Sequence, residues 1–417
     1  MSNPATSIRP ADVAKAARKI GTPFYFYDAD VIRARYLALR GALPERWRIY
    51  FAAKANPNLA ILGIYRGLGG MVECASAGEM LAAVKAGFKG SDIALSGPVK
   101  AAQEHAFLKR KKIAAIHSET ETELRGLDAL GVRQNVALRL NVEFHRGRVT
   151  AGRIMSGGMD KFGFSPEEAA EVLRRRDGYK NLKFVGFHFY AGTQMLSARS
   201  WLDAAEKYAL AAAAVCRKTG FLPEYLNFGG GLGVPYRADE SEIDLDDLGR
   251  GCARLEKKLS GLAELRRAKF FVEPGRYLAG PAGAYVMRVV ALKKMRGTNF
   301  AITDGGIHHA LLPFRVSREF PAFLVGGRGG KKRRYVLGGP LCTTLDQSDL
   351  PIDLPPLREG DLIAIGNSGA YGYATGMHFF LSHPLPAEVL QDGGKLTLIR
   401  RPSESEHLFR LQTRMPL

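Results

Sequence analysis

Ile49-Tyr50-Phe51-Ala52-Ala53-Lys54-Ala55-Asn56-Pro57-Asn58 is the stretch that organises the reading of this chain. An apolar run of strand character ends on a lysine. Asn56-Pro57 then stops it, because proline cannot donate to a ladder and restricts the residue before it. The Lys54 amine is thereby presented at the C-terminal end of a strand, the end at which α/β proteins carry their chemistry. An amine so placed can form a Schiff base with a carbonyl compound. Taken alone, a strand-end lysine snorkelling into solvent is the commoner case, so the surrounding sequence has to decide.

From about residue 30 to residue 280, short apolar runs alternate with helical patterns. Strands are expected at 49–53, 113–116, 137–140, 184–189, 225–228 and 270–272, and helices at 77–86, 166–175 and 201–218. So many βα alternations over about 250 residues suit a closed (β/α)8 barrel, the TIM barrel, better than an open sheet. Beyond Gly280 the helical signal fades, and runs at 284–292, 334–337 and 361–365 read as strands between glycine-rich turns. The expected organisation is therefore α/β: a barrel over 30–280 and a second, mostly β C-terminal domain, sandwich- or barrel-like, over 281–417. The N-terminal segment 1–29 carries Phe24-Tyr25-Phe26-Tyr27, a strand expected to join that second domain. Gly326 to Gly330, with the basic residues after it, reads as an exposed loop.

The chain has 417 residues, 46% hydrophobic and 24% charged, the profile of a soluble globular protein. No apolar run is long enough to span a bilayer, and Met1 to Ile20 is mixed and charged, so neither secretion nor membrane insertion is expected. Cys74, Cys216, Cys252 and Cys342 are scattered without a Cys-x-x-Cys pair, which implies no disulfide framework, no metal site and a reducing cytoplasm. The net charge of +19 attracts polyanions. Its clusters, Lys109-Arg110-Lys111-Lys112, Lys293-Lys294 and Lys331-Lys332-Arg333-Arg334, come without aromatic interleaving or a nucleic-acid module, so no nucleic-acid partner is expected. A solvated basic face is the default and an acidic protein partner the alternative.

Further segments turn the lysine into part of a constellation. His188 lies in an alternating apolar run, where it can lie flat on an aromatic ring, although a satisfied core histidine is the ordinary case. Gly229, Gly230 and Gly231 follow a strand, and successive backbone N–H groups there can close around a phosphate. Glu273, in Glu273-Pro274-Gly275-Arg276, offers a carboxylate that would keep a pyridine nitrogen protonated. Cys342 follows a Gly-Gly-Pro turn, a setting for an exposed thiol rather than a core one, and Tyr371 sits in Gly369-Ala370-Tyr371-Gly372 with a hydroxyl available to a phosphate. Together these residues match each part of pyridoxal 5'-phosphate: aldehyde, ring, phosphate and pyridine nitrogen.

From Tyr25 to Tyr373, in motif order, the chain resembles the barrel-type (fold type III) pyridoxal-phosphate decarboxylases, which include diaminopimelate, ornithine and arginine decarboxylases. The resemblance implies a carboxy-lyase with Lys54 as the Schiff-base lysine and His188 on the ring. It also implies Glu273 at the pyridine nitrogen, and Gly229, Gly230, Gly231, Gly275, Arg276 and Tyr371 around the phosphate. Glu73, Ser76, Glu79, Arg139 and Thr193 match supporting positions. Cys342 matches the cysteine that reaches in from the second subunit of a homodimer with shared active sites and returns a proton to Cα. Thr343, Asp346, Arg315 and Tyr371 fall where the family contacts substrate.

The departures concern the far end of the substrate. Diaminopimelate decarboxylases follow the reactive cysteine with glutamate and ornithine decarboxylases with aspartate; here Thr343 stands there. The arginine and tyrosine of the diaminopimelate enzymes' Arg-Pro-x-x-Tyr segment are missing from Leu312-Pro313-Phe314-Arg315-Val316, leaving Arg315 in shifted register. The stretch His188-Phe189-Tyr190-Ala191-Gly192-Thr193-Gln194 is two residues longer than usual. With Gly305-Gly306-Ile307-His308-His309 and Pro340-Leu341-Cys342-Thr343-Thr344-Leu345-Asp346, it resembles the subgroup that acts beside acyl carrier proteins, including the butirosin glutamyl-carrier decarboxylase. The expected substrate is an amino acid, free or held on an acidic carrier protein. A free diamino acid decarboxylase is the alternative. A racemase of the same fold is disfavoured by Glu273 where racemases place arginine, and a non-catalytic regulator by the retained lysine, glycine and cysteine positions.

Overall fold

The computed structural model describes residues 8–142, 153–154, 161–315 and 319–413, of which 153 and 154 are described by backbone alone. Its contacts divide the chain into two compact units. One comprises Arg33–Val234 and Ser241–Leu278. The other comprises the residues up to Ile32, Pro235–Glu240 and Ala279 onward.

The first strand, β1 (Phe24–Asp28), belongs to the second unit. The barrel is built from β2 (Trp47–Ala52), β3 (Met71–Cys74), β4 (Ile93–Leu95), β5 (Ala115–Ser118), β6 (Gln134–Arg139), β8 (Leu182–His188), β10 (Tyr225–Asn227) and β11 (Lys269–Val272). Each strand is parallel to the next, and β11 pairs with β2 to close the ring. A two-residue ladder joins β7 (Arg153–Ile154) to β9 (Gly192–Thr193) beside it. The expected closed eight-stranded barrel is therefore present. β3 and β4 are absent from the sequence reading, because three or four residues are too few to show a period, and β3 carries a glutamate inside its apolar run.

Side chains two apart along a strand share a face. This parity stacks a polar layer, Glu73, His117, Arg139, His188, Asn227 and Glu273, over a lower layer containing Tyr50, Ala94, Ala115, Ala137, Tyr225 and Phe271. Outside the ring, Trp47 packs on Phe228 and Phe270 at centroid distances of 5.3 and 5.2 Å. The helix Ala198–Thr219 buries Ala204, Ala205, Ala209, Ala212 and Ala213, whose small side chains let a long helix lie close. Ser197 caps its start through Ser200 N, and left-handed Gly220 ends it.

The second unit is a nine-stranded mixed sheet made of β1, β12 (Gly283–Met295), β13 (Thr298–Thr303), β14 (Ala322–Val325), β15 (Arg333–Gly338), β16 (Ile352–Leu354), β17 (Leu362–Ile365), β18 (Ala387–Asp392) and β19 (Lys395–Arg400). β1 joins it, antiparallel to β12 and parallel to β18. The helix Pro10–Ile20 lays Val13, Ala16 and Ala17 on Phe24, Phe26, Val286 and Val389. Gly326 and Gly330 are exposed between β14 and β15, as expected for a surface turn.

Gly186 in β8 has no room for a side chain: a Cβ would stand 1.8 Å from the Tyr225 carbonyl oxygen on β10. Gly186→Ala should cost at least about 3 kcal/mol by overpacking against backbone. Gly63→Ala, inside the helix Leu59–Gly67 and with nothing within 4 Å, should stabilise by up to about 1 kcal/mol. Urea unfolding of the two variants checks both signs.

Candidate active site

The polar layer lies at the C-terminal ends of the strands. Glu273, just past β11, is 4% exposed and is held by hydrogen bonds: Asn227 Nδ2 donates to Oε1 at 2.7 Å, and His188 Nε2 lies 3.2 Å from Oε2. Asn227 Nδ2 also donates to the Tyr225 hydroxyl at 2.6 Å. His117 Nε2 meets the same hydroxyl at 2.9 Å, and its Nδ1 meets Ser96 Oγ at 2.8 Å. The His117 and His188 rings stack at 4.0 Å and 10°. Burial, aided by neighbouring positive charge, holds both imidazoles well below their usual pKa, so they are neutral. His117, His188 and Glu273 offer ligand atoms within 4.8 Å of one another. Stacked rings, however, aim their in-plane lone pairs in parallel rather than at one ion, and both His117 nitrogens are engaged, so we read the trio as a hydrogen-bonded cluster.

Lys54, in the turn after β2, places Nζ 3.4 Å from Oε2 of Glu73, whose side chain is wholly buried. Burial raises the Glu73 carboxyl, with Lys54 pulling the other way. Ser76 caps the helix Ala77–Lys85 through Glu79 N, and Glu79 accepts from Ala75 N at 2.7 Å. Arg139 is paired with buried Glu119 at 3.0 Å, and Glu119 also accepts from Gly163 N.

Three contributors escape the sequence reading. Tyr190 sits between the two cations, its ring centroid 5.9 Å from Lys54 Nζ and 6.0 Å from Arg139 Cζ. The two-residue lengthening after His188 is the signal for it. Lys100, buried against Glu123 at 2.5 Å and donating to the Gly97 carbonyl, is one lysine among many in the sequence. His117 lies in β5, which starts two residues later than the apolar run at 113–116 suggests.

The glycines are required by close approach. A Cβ on Gly229 would meet Phe189 O at 2.2 Å, on Gly230 Glu273 O at 2.5 Å, and on Gly231 Gly192 O at 2.6 Å. Trp201 Nε1 donates to Gly230 O at 3.0 Å and steadies the loop, and Thr193 is beside it in β9. Gly275 packs on the Lys54 turn, where a Cβ would stand 2.8 Å from that of Ala55, and Arg276 opens the short helix Arg276–Ala279.

In the second unit Cys342 is exposed, and Tyr371 adopts a φ of 56°. Two expected substrate residues are otherwise employed. Asp346 is 2% exposed and accepts from Ile307 N at 2.7 Å and Leu341 N at 2.8 Å, against Gly306 and Gly339. It thus clamps the Cys342 loop to the Gly305–Ile307 turn. Arg315 is paired with Asp349 at 3.0 Å. Thr343 accepts from Leu345 N through its hydroxyl. Val316 lies outside the described residues.

Residues 29–280 match the family described as pyridoxal-dependent decarboxylase, pyridoxal binding domain. The chain belongs to this family. It is 32% identical, over 96% of both sequences, to L-glutamyl-[BtrI acyl-carrier protein] decarboxylase of Niallia circulans. It is 30% identical to diaminopimelate decarboxylase of Aquifex aeolicus, over 96% of this chain and 94% of that one. The crystal structure of Helicobacter pylori diaminopimelate decarboxylase complexed with L-lysine superposes with a TM-score of 0.84 at 28% identity, covering 96% of this chain and 99% of that one. The protein is thus a pyridoxal-phosphate-dependent amino-acid decarboxylase, a carboxy-lyase. No described helix is long and apolar enough to cross a membrane. The site's residues fit the cofactor: a glycine loop that no Cβ could enter, a lysine beside a buried carboxylate, and a buried His188 Nδ1 without a hydrogen-bond partner.

Burial pushes Glu79 up to about 7. In the folded state it therefore holds a proton that the unfolded chain releases near 4.5, so its contribution to stability is present below 4.5 and lost as pH rises through about 7. The fall in stability between those pH values should be smaller in Glu79→Gln by up to about 2 kcal/mol, discounted for partial exposure. Denaturant titrations at about pH 4.5, 6 and 8 measure it.

Proposed function

We propose that the enzyme removes the α-carboxylate from an amino acid carried on an acyl carrier protein. The observation that carries this reading is the lack of charge for the far end of a free diamino acid: Thr343 follows Cys342 where relatives have a carboxylate, Leu312 stands where they have arginine, and Arg315 is engaged by Asp349. The match over 96% of both chains to a decarboxylase named for a glutamyl group on a carrier supports it. A free diaminopimelate substrate is the second reading, favoured by the 30% identity to the Aquifex enzyme.

Bound pyridoxal phosphate supplies an electron sink that lets the Cα–carboxylate bond break. Lys54 binds the aldehyde, and Glu73, 3.4 Å away, keeps its amine in place. Glu273 holds the proton on the pyridine nitrogen, oriented by Asn227. His188, backed by His117, presents a neutral face to the ring, and a neutral face does not compete with the ring for electrons. Backbone N–H groups of Gly229 to Gly231, with Gly275 and Arg276, take the phosphate; Arg139 and Thr193 support them, and the family resemblance assigns Tyr371 a phosphate-binding role. Cys342, from a second copy of the chain, gives Cα its proton, which makes the working unit a homodimer. Four free cysteines suit a cytoplasmic setting.

The carrier's acidity gives the basic charge one role, steering. Lys109 to Lys112, however, precede β5 at the N-terminal end of the barrel, the end away from Lys54. That cluster does not guide a partner to the site.

Lys54→Ala should lose the long-wavelength absorbance of bound cofactor. After borohydride reduction the parent should gain the cofactor's mass and the variant should not; a labelled variant would move the covalent role to another lysine. For substrate, mass-spectrometric detection of CO2 loss from a carrier-bound glutamyl group should exceed turnover of free diaminopimelate by about 10² to 10⁴, the value of two absent charged contacts. Efficient turnover of free diaminopimelate instead would establish the second reading.

A further inference from the structure

The opposite, N-terminal end of the barrel holds a cavity of ≈ 540 Å³ that the reaction does not use. Its existence follows from the lower layer of the barrel. Tyr50, Tyr225 and Phe271 fill one side, with Tyr225 on Phe271 at 4.4 Å and Tyr50 on Phe271 at 5.3 Å. The facing strands β4, β5 and β6 contribute only Ala94, Ala115 and Ala137. Beside these rings the space opens between the strand starts, lined on the facing side by Met71, Ile113, Ala114 and Asn135.

The cavity is built rather than accidental in three respects. Its wall is rigid: Asn135 Nδ2 donates to Ala114 O at 3.0 Å, Ala114 N donates to Gly90 O at 3.0 Å, and a Cβ on Gly90 would stand 2.1 Å from Lys112 O. Its floor contains the Tyr50 hydroxyl, which is wholly buried and neighbours Tyr225. Its rim carries Arg48, Lys112 and Lys269, all exposed and none ion-paired among the described residues. Lys109, Arg110 and Lys111 add positive charge at the same end of the barrel.

We propose that this cavity is a binding site for a small amphipathic anion, with an apolar body against Tyr50, Tyr225 and Phe271 and a carboxylate or phosphate head between Arg48, Lys112 and Lys269. The volume falls within the range of small-molecule sites. An aromatic cup takes the body, and three cations at a concave mouth concentrate anions there. The site is independent of which amino acid the enzyme decarboxylates.

The test uses holoenzyme, in which the cofactor fills the glycine loop, with 4-phenylbutyrate and phenyl phosphate as probes and 2-phenylethylammonium as the cationic control. Saturation-transfer NMR and calorimetry should show saturable binding of at least one anion and none of the cation. The stronger of the two anions tells which head group the site prefers. The Arg48→Ala/Lys112→Ala/Lys269→Ala variant, altered only at exposed positions, should bind at least about tenfold more weakly. Met71→Trp, which fills the mouth from the start of β3 and leaves the charges in place, should abolish binding. Absence of saturable binding up to about 10 mM overturns the proposal. So does binding that survives in Met71→Trp, because it would belong to the charged surface rather than the cavity.

Discussion

The carboxylate of Glu273 is buried beside two neutral imidazoles, with no lysine or arginine ion-paired to it among the described residues, and the arrangement of the barrel interior follows from satisfying it. A buried carboxylate is tolerable only when hydrogen bonds replace its water. Asn227 and His188 provide them, and each is constrained in turn: Asn227 by Tyr225, His188 by the parallel ring of His117. His117 is pinned between Ser96 on one side and Tyr225 on the other. Five strands and the loops that follow them thus converge on one charge, and their registers are coupled, since a one-residue slip in any of them would turn its polar side chain outward.

The same parity explains why chemistry and packing separate by layer. One residue type at position i of a strand and another at i+2 stand on the same face at different heights, so Tyr225 lies below Asn227 and Ala137 below Arg139. The upper layer can be polar because its members satisfy one another. The lower layer is aromatic on one side and alanine on the other, and the barrel floor opens beside its rings under a basic rim.

Charge is distributed less simply than its total implies. Lys109 to Lys112 gather at the end of the barrel remote from Lys54, whereas Lys293, Lys294, Arg333 and Arg334 lie on β12 and β15 of the other unit. A net charge of +19 thus includes clusters on both units.

Much of this was legible in the residues themselves. The Lys54 run with its Asn-Pro stop, the glycine triplet, Glu273 and the apolar setting of His188 each carry a local physical requirement, such as a strand end, a close backbone approach or a buried acid. Local requirements survive in a linear string, and so do the alternating runs that announced a barrel. What needed the tertiary structure were the partners. Strands β3 and β4 are too short to have a period. Tyr190, Lys100 and His117 are ordinary residues until distant segments place a cation, a carboxylate or a second ring beside them. Family resemblance places Asp346 among the substrate contacts, and its carboxylate turns inward to two backbone amides from different turns. The chain alone determined which groups are available and which backbone shapes they demand. Only folding decided which of those groups are already spent on each other, because a hydrogen bond or an ion pair is a property of two positions that the sequence lists far apart.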